Sequence, residues 1–297
     1  MLKVFFNNNG TYKEFQEVTT LLEMLPSFDF DKPYDIVSAK VNNVCEGLKF
    51  RVFNSRDVEF LDYRSYNGRN VYCRSLCFLL YKAAKELFPN CKIILRRPIS
   101  KGFFCCMDKG NGLMLTSEDV DAISLKMREI VDMDIPFRRH EAQVSEAIKM
   151  FKKLGQEDKV KLLETCGEVY INYYTLDDTT DYYYDALVPS TGYLKVWSLS
   201  TYHGGMLLRV PDRHEPLKLA PFYEQPKTFD VFTETVNWNR IMGLSNVGDV
   251  NEACLNGRAS ELIQVAEALQ EKKIVQIAEE IDKRYNSSSP VRIVLIT

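Results

Sequence analysis

The chain has 297 residues, of which 45% are hydrophobic and 27% are charged, and its formal net charge is −3. This length predicts two or three domains, and this composition predicts packed cores, not a disordered chain. The small net charge excludes a general nucleic-acid coat protein. The apolar runs are far shorter than the roughly 20 residues that span a bilayer. We expect no signal peptide, because only three apolar residues follow Lys3, and the eight cysteines then predict reduced thiols in a cytoplasmic protein.

Positive charge is concentrated in residues 67–110, which carry nine Lys and Arg against only Glu86 and Asp108. Such a local excess can steer an anionic partner toward the protein. Alternatively, it forms a solvated face that acidic neighbours balance in three dimensions. The sequence leaves both readings open.

The first 65 residues predict a small β-rich domain. Residues 2–6 and 11–15 are strand-like on either side of the turn signal Asn7 to Gly10. Thr19 or Thr20 can cap a short helix that Pro26 ends. Three more strands are predicted at 36–41, 48–53 and 58–63. A hairpin, a helix and further strands in this order predict a β-grasp (ubiquitin-like) sheet, a fold typical of binding modules.

The next segment alternates helices and strands. Apolar residues at helical spacing predict a helix that ends at Pro89, and Thr116 begins another with a capping box. A further helix ends at Gly155, a typical residue after a helix C-terminus. Strands are predicted at 91–95, 102–107, 169–174, 182–188, 193–198 and 206–210. This mixture predicts an α+β domain.

The C-terminal part is predicted to be helical. Two apolar stripes, from Leu262 to Leu269 and from Ile274 to Ile281, are joined by a step that turns the stripe by about 140°, so they form two helices or one bent helix. Residues 286–290 end the helix, and residues 291–296 form a nearly continuous apolar strand. Such a strand usually lies inside a sheet covered on both faces. We therefore expect the natural protein to continue beyond Thr297.

Motif searches find no sequence signature of catalysis. The chain has no phosphate-binding G-x-x-x-x-G-K-[ST] loop, no G-x-G-x-x-G, no H-E-x-x-H and no G-x-S-x-G. Cys73 and Cys77 share a helix face and could join Cys105 and Cys106 around Zn²⁺. Cys105 and Cys106 are adjacent on a predicted strand, however, so they point to opposite faces and cannot easily share one metal ion. Six tyrosines between residues 170 and 184 suit either a ligand-binding surface or cross-strand packing.

Two regions resemble parts of threonyl-tRNA synthetases. Residues 37–42 (VSAKVN) are similar to the N-terminal TGS domain, and residues 71–210 resemble the second additional domain, which edits mischarged tRNA. The second resemblance is carried by the stretches KELFP (85–89), GFF (102–104), LTSEDV (115–120), DKV (158–160) and VPSTG (188–192). Together they imply a β-grasp domain followed by an editing-like α+β domain.

The same resemblance implies that the editing chemistry is lost. The family has an H-x-x-x-H pair and a C-x-x-x-H pair, and the matching residues here are Arg74 with Phe78 and Tyr183 with Leu187. A family carboxylate is replaced by Cys106. Lys159 and Asp181 match the family. These seven residues are the candidate ligand-binding set; we expect no catalytic residue and no metal, and the pocket would suit a phosphate or carboxylate. Alternatively, Arg74 points to solvent, and Lys159 with Asp181 forms an ion pair that orders a strand.

The order of these parts is similar to the N-terminal half of bacterial uridine (nucleoside) kinase fusion proteins. The implied domains are 1–65 (TGS-like), 68–225 (editing-like), 226–286 (helical linker) and 287–297 (first strand of an absent P-loop kinase domain). The resemblance implies a non-catalytic, nucleotide- or tRNA-binding regulatory region, with no cofactor here and with ATP and Mg²⁺ in the kinase domain. Two alternatives remain open: an aminoacyl-tRNA editing hydrolase acting through Lys159, Asp181 and a cysteine, and a structural module whose helical tail forms a homodimer.

Overall fold

The structure is a computed structural model, and it describes residues 1–28, 33–110, 112–285 and 287, with only the backbone of residues 96 and 97. The chain divides into two compact units. The first contains residues 1–142 and 171–226, and the second contains residues 143–170 and 227–297. The domain boundaries drawn from the sequence remain predictions.

The first unit begins with a β-grasp sheet. Its strands are β1 (Leu2–Phe6), β2 (Thr11–Phe15), β4 (Ile36–Val41), β5 (Val44–Glu46) and β7 (Arg56–Asp62), in the order β2-β1-β7-β4-β5. Only the central pair β1 and β7 is parallel among the described pairs of this sheet. The predicted β-grasp fold is therefore confirmed.

A short helix packs its apolar side chains into the core of this sheet. Helix α1 (Leu21–Met24) begins at Thr20, whose hydroxyl accepts a hydrogen bond from the Glu23 backbone N–H, while the Glu23 carboxylate accepts one from the Thr20 N–H. Such a capping box satisfies two otherwise unpaired donors. The two-stranded sheet of β3 (Thr19–Thr20) and β6 (Arg51–Val52) leads into it. Of the strand predicted at 48–53, only the two residues of β6 form a strand, and the separate strand β5 precedes them in the chain.

The rest of the first unit is an α+β assembly around a long buried helix. Helix α2 (Tyr66–Leu87) is buried on most of its surface, and α3 (Ser117–Asp132) packs beside it with Val120, Ile123 and Met127 turned inward. The strands of this assembly are β8 (Lys92–Ile99), β9 (Gly102–Asp108), β10 (Phe137–Gln143), β11 (Tyr170–Leu176), β12 (Thr179–Asp181), β13 (Ser198–Tyr202) and β14 (Gly205–Arg209). One sheet has the order β13-β14-β9-β8 and is antiparallel, and a second has the order β10-β11-β12, in which β11 and β12 are antiparallel.

The segment between β12 and β13 differs from its prediction. Strands were expected at 182–188 and 193–198, but strand structure stops at Asp181 and resumes only at Ser198. Partners from other segments bind this backbone: the Val188 N–H donates to Ser75 Oγ, and the Pro189 carbonyl accepts from Lys49 Nζ and from the Phe137 N–H. Ser190 forms an isolated bridge with Pro136 and does not extend into a strand. Because these partners lie far away in sequence, the local pattern did not reveal them.

The second unit, in its described residues, is helical. It contains α4 (Val144–Lys153), α5 (Glu157–Thr165), α7 (Val247–Leu255) and α8 (Ala259–Tyr285), with nearly all of α6 (Pro226–Ile241). Lys161 on α5 lies 2.7 Å from Asp249 and 2.6 Å from Glu252, both on α7. Of the two sequence readings of the tail, a single helix is found over 259–285. The strand predicted at 291–296 lies outside the described residues.

Candidate functional site

Helix α2 and the segment after β12 bring four of the predicted site residues into the first unit's main core region. Arg74 and Phe78 lie one turn apart on α2, while Tyr183 and Leu187 come from the irregular segment. Phe78 is fully buried; its ring centroid lies 5.4 Å from that of Tyr183 and 5.8 Å from that of Phe137. Leu187 is buried in the same cluster. Aromatic and aliphatic side chains therefore pack together at the predicted ligand-binding residues.

Arg74 is held by a carboxylate. Its Nη1 donates to Asp185 Oδ2 at 2.7 Å, and its Nη2 donates to the Ala186 carbonyl at 3.3 Å. The side chain is only 23% exposed. Its Nε is buried without a hydrogen-bond partner among the described residues. The predicted positive charge is thus present, but Asp185 neutralises it, and the alternative in which Arg74 points freely to solvent is not what the structure shows.

Asp181 is buried, and the partly buried Tyr183 lies close to its carboxylate. The Tyr182 N–H donates to Asp181 Oδ1 at 2.7 Å. Burial raises the pKa of Tyr183 well above its usual value, and the adjacent Asp181 carboxylate and the Cys77 thiol raise it further. Tyr183 is therefore a neutral phenol near pH 7, so it can donate a hydrogen bond but cannot act as a phenolate base.

The cysteines near this cluster are buried thiols. Burial raises the pKa of Cys73 to about 11 and that of Cys105 to about 12, and it raises the pKa of Cys77 well above its usual value. Because the thiolate is the nucleophile and the metal ligand, such groups are inert near neutral pH. Across the described ranges, no group of three or more His, Cys, Asp or Glu side chains could hold a metal ion.

The two remaining candidate residues belong to other elements. Cys106 is half-buried on β9, where it pairs with Ile94 of β8. Lys159 lies on α5, in the second unit. The binding role of all seven candidate residues remains a prediction.

Carboxylates accompany much of the positive charge of residues 67–110. Lys82 is almost completely buried, and its Nζ lies 2.9 Å from Glu86 and 2.8 Å from Asp178. Arg74, Lys109 and Lys101 lie near Asp185, Asp119 and Asp212, respectively. These four cations of the segment are therefore ion-paired with carboxylates. The charge of the segment does not mark a binding site by itself.

The tyrosine cluster has no single role. Tyr174 is buried in the main core, whereas Tyr184 is 73% exposed. The ring of Tyr173 stacks on that of His140, with centroids 5.0 Å apart. Part of the cluster is thus cross-strand and core packing, as one of the two sequence readings held.

A cavity of about 720 Å³, which no sequence motif indicated, opens beside the buried cluster within the first unit. Among the candidate residues only Leu187 lines it. Its wall is formed by residues of four separate segments: Glu46, Gly47, Lys49, Phe50, Arg51, Phe53, Phe137, Arg138, Arg139, His140, Glu141, Asn172, Tyr174, Leu187, Val188 and Pro189. The clearest local signal was the run Arg138-Arg139-His140, which lies outside the basic segment that the charge distribution highlighted.

The fold and the buried cluster define an α+β region. No family model matches the chain. Curated relatives do match it. The chain is 30% identical over 200 residues to the threonine–tRNA ligase of Carboxydothermus hydrogenoformans, and the aligned region covers 67% of this chain and 31% of the relative. The threonine–tRNA ligases of Clostridioides difficile and Desulforamulus reducens are 27% and 29% identical over 205 residues each, 69% of this chain and 32% of each relative.

The chain thus contains a region related to tRNA synthetases and similar to threonine–tRNA ligases. It spans about a third of the length of these relatives. No helix in the described part of the chain is both long and apolar enough to cross a membrane.

Proposed function

We propose that this chain is a non-catalytic binding region that keeps the architecture of a synthetase editing domain without its hydrolytic chemistry. The observation that carries the proposal is the packed contact between Phe78 and Tyr183, next to an Arg74 whose charge Asp185 neutralises. A hydrolytic site needs an activated nucleophile or a metal-bound water with room for the ester. Here burial raises the pKa of the nearby thiols and of the Tyr183 phenol, and the ring of Phe78 packs against that of Tyr183.

The proposed ligand is a nucleotide or the end of a tRNA. The similarity to threonine–tRNA ligases over two thirds of the chain supports a nucleic-acid-derived ligand. We further propose that the β-grasp part is a TGS domain and that the chain regulates an attached uridine (nucleoside) kinase domain, which would use ATP and Mg²⁺ in the cytoplasm. The resemblance of the domain order supports this second step.

Binding and deacylation assays on the same preparation test the proposal. Calorimetric titration with tRNA and with nucleotides, at low and near-physiological salt, should show saturable binding, and tRNA binding should weaken with salt because phosphate contacts release counterions. Mischarged tRNA should lose its amino acid no faster than in buffer. Deacylation above the buffer rate would overturn the proposal.

The second candidate is an editing hydrolase. It is favoured by the similarity to the ligases and by Asp181, a buried carboxylate beside Tyr183. Deacylation that disappears in Asp181→Ala, while the variant keeps its thermal stability, would establish it. Asp185→Ala is the matched control, since it removes a nearby carboxylate that is bound to Arg74 instead.

A structural role in dimerisation has its own support. Helix α8 has no buried residue, and Ile274, Val275 and Ile277 are each at least half exposed. Light scattering at several concentrations would detect a dimer. A concentration-dependent mass, combined with no binding of tRNA or nucleotides, would favour this role over the proposed one.

A further inference from the structure

The 720 Å³ cavity has the size and the wall chemistry of a small-molecule site. Ligand pockets usually enclose about 300–1,000 Å³ and combine aromatic walls with a few convergent polar groups. This cavity is lined by the cations Lys49, Arg51, Arg138 and Arg139, by the acidic residues Glu46 and Glu141, and by the aromatic residues Phe50, Phe53, Phe137, His140 and Tyr174. Cations therefore outnumber carboxylates two to one.

Two of the four cations have structural partners. Lys49 Nζ donates to the Phe137 carbonyl at 3.1 Å and to the Pro189 carbonyl at 2.7 Å, so it joins the β-grasp sheet to two walls of the cavity. Burial lowers the pKa of Lys49, and the charge of Arg138 lowers it further. Arg139 Nη1 lies 3.5 Å from Glu46. These contacts fix the shape of the wall.

The other two cations are available to a ligand. Arg138 is exposed, and it takes part in none of the ion pairs or side-chain hydrogen bonds found across residues 1–28, 33–110 and 112–285. Arg51 is also exposed and forms no such contact in the same ranges; the pKa of Glu23 is lowered mainly by hydrogen bonds from Thr20 and further by the charge of Arg51. Guanidinium groups present paired N–H donors that match the oxygens of a phosphate.

Aromatic surface lies next to this charge. Phe53 lines the cavity with its side chain 65% exposed, a large apolar surface left in contact with water. Asn172 adds an amide that can both donate and accept hydrogen bonds. A planar base could stack on Phe53 while its polar edge meets an amide and its phosphate meets an arginine.

We infer that this cavity binds a free mononucleotide, with its phosphate at Arg138 and Arg51 and its base on Phe53. The inference rests on the proposed function, but it moves the binding site from the Arg74 cluster to a cavity lined by different residues. A cavity bounded on several sides and of this volume suits one nucleotide better than an extended strand.

Titration calorimetry on the full 297-residue chain tests the inference with UMP, AMP, the nucleosides uridine and adenosine, inorganic phosphate and a five-nucleotide single-stranded RNA. At least one mononucleotide should bind at one site per chain, and at least tenfold tighter than its nucleoside or phosphate alone. Arg138→Ala should weaken that binding by roughly 10- to 100-fold, the loss expected for a charged hydrogen bond. Arg138→Lys should restore part of it.

Phe53→Ala should weaken nucleotide binding by roughly 5- to 100-fold and leave phosphate binding unchanged, because stacking involves only the base. Arg240→Ala and Tyr12→Ala are matched controls: both side chains are exposed and neither lines the cavity. Circular dichroism and thermal unfolding verify that each variant folds.

Three outcomes would overturn the inference. Mononucleotide binding that both cavity variants leave unchanged but that Arg74→Ala removes would place the site at the Arg74 cluster and leave the proposed function standing. If the RNA binds at least tenfold tighter than any mononucleotide does, the site is one for single-stranded RNA instead. If neither nucleotides nor tRNA bind, the proposed function fails as well.

Discussion

Replacing Phe78 with alanine tests whether the predicted site is a filled interior or an open pocket. Phe78 is fully buried in the largest hydrophobic cluster of the first unit, between the rings of Phe137 and Tyr183. Truncating a buried phenylalanine typically lowers the free energy of unfolding by about 3–5 kcal/mol, through lost burial and the cavity left behind. That is a large fraction of the roughly 5–15 kcal/mol of a typical native protein.

The assay uses the position of the two tryptophans. Trp197 is buried in the same cluster as Phe78, whereas Trp238 lies on α6. In a Trp238→Phe background, fluorescence during denaturant unfolding therefore reports on the cluster. For Phe78→Ala we expect the denaturant concentration at the unfolding midpoint to fall, with little change in the slope of the unfolding free energy against denaturant. The melting temperature should fall by about 6–20 °C.

Two further variants make the measurement decisive. Phe78→Leu keeps most of the buried volume and should cost clearly less than Phe78→Ala. Leu125→Ala changes an exposed side chain of α3 and should stay within about 0.5 kcal/mol of the parent. If Phe78→Ala lowers the free energy of unfolding by less than about 1 kcal/mol, the ring borders an open pocket. The argument that no reaction site lies there would then be wrong.

Local signals in the sequence predicted most of the elements. The turn at Asn7 to Gly10 joins β1 and β2, the Thr116 capping box begins α3, and Gly155, with a φ of +67°, follows the end of α4. Each of these depends on residues within a few positions of one another. For that reason a single sequence was sufficient to place them.

The candidate site depends on contacts that no local pattern contains. Arg74 and its partner Asp185 are 111 residues apart, and Lys49 is 140 residues from the Pro189 carbonyl that it binds. The aromatic run after Asp181 has high strand propensity, but no strand forms there, and the backbone that follows it is bound at Val188 by Ser75 and at Pro189 by Lys49. The cavity was not foreseen for the same reason, since its wall combines four segments.

Three further measurements follow from the structure. Cys254 is exposed and should react with a thiol reagent at pH 8 before Cys73, Cys77 and Cys105 do. With a pKa of about 12, only about one Cys105 thiol in ten thousand is ionised at this pH. Rapid labelling of all four cysteines would contradict the burial of the other three. Thr116→Ala should lower the free energy of unfolding by about 1 kcal/mol, because it removes the acceptor for the Asp119 N–H, whereas Ser117→Ala should change it little. Hydrogen bonds from Lys109 and from the Thr116 backbone hold the pKa of Asp119 below its usual value of about 3.9. Its stabilisation is therefore fully present above about pH 4 and is lost as the pH falls through the lower, folded-state pKa, so the parent protein should lose more stability than Asp119→Asn in that window. If the free energy of unfolding falls in parallel for the two proteins below pH 4, the Asp119 carboxylate gains no stability from Lys109 and Thr116 in the folded state.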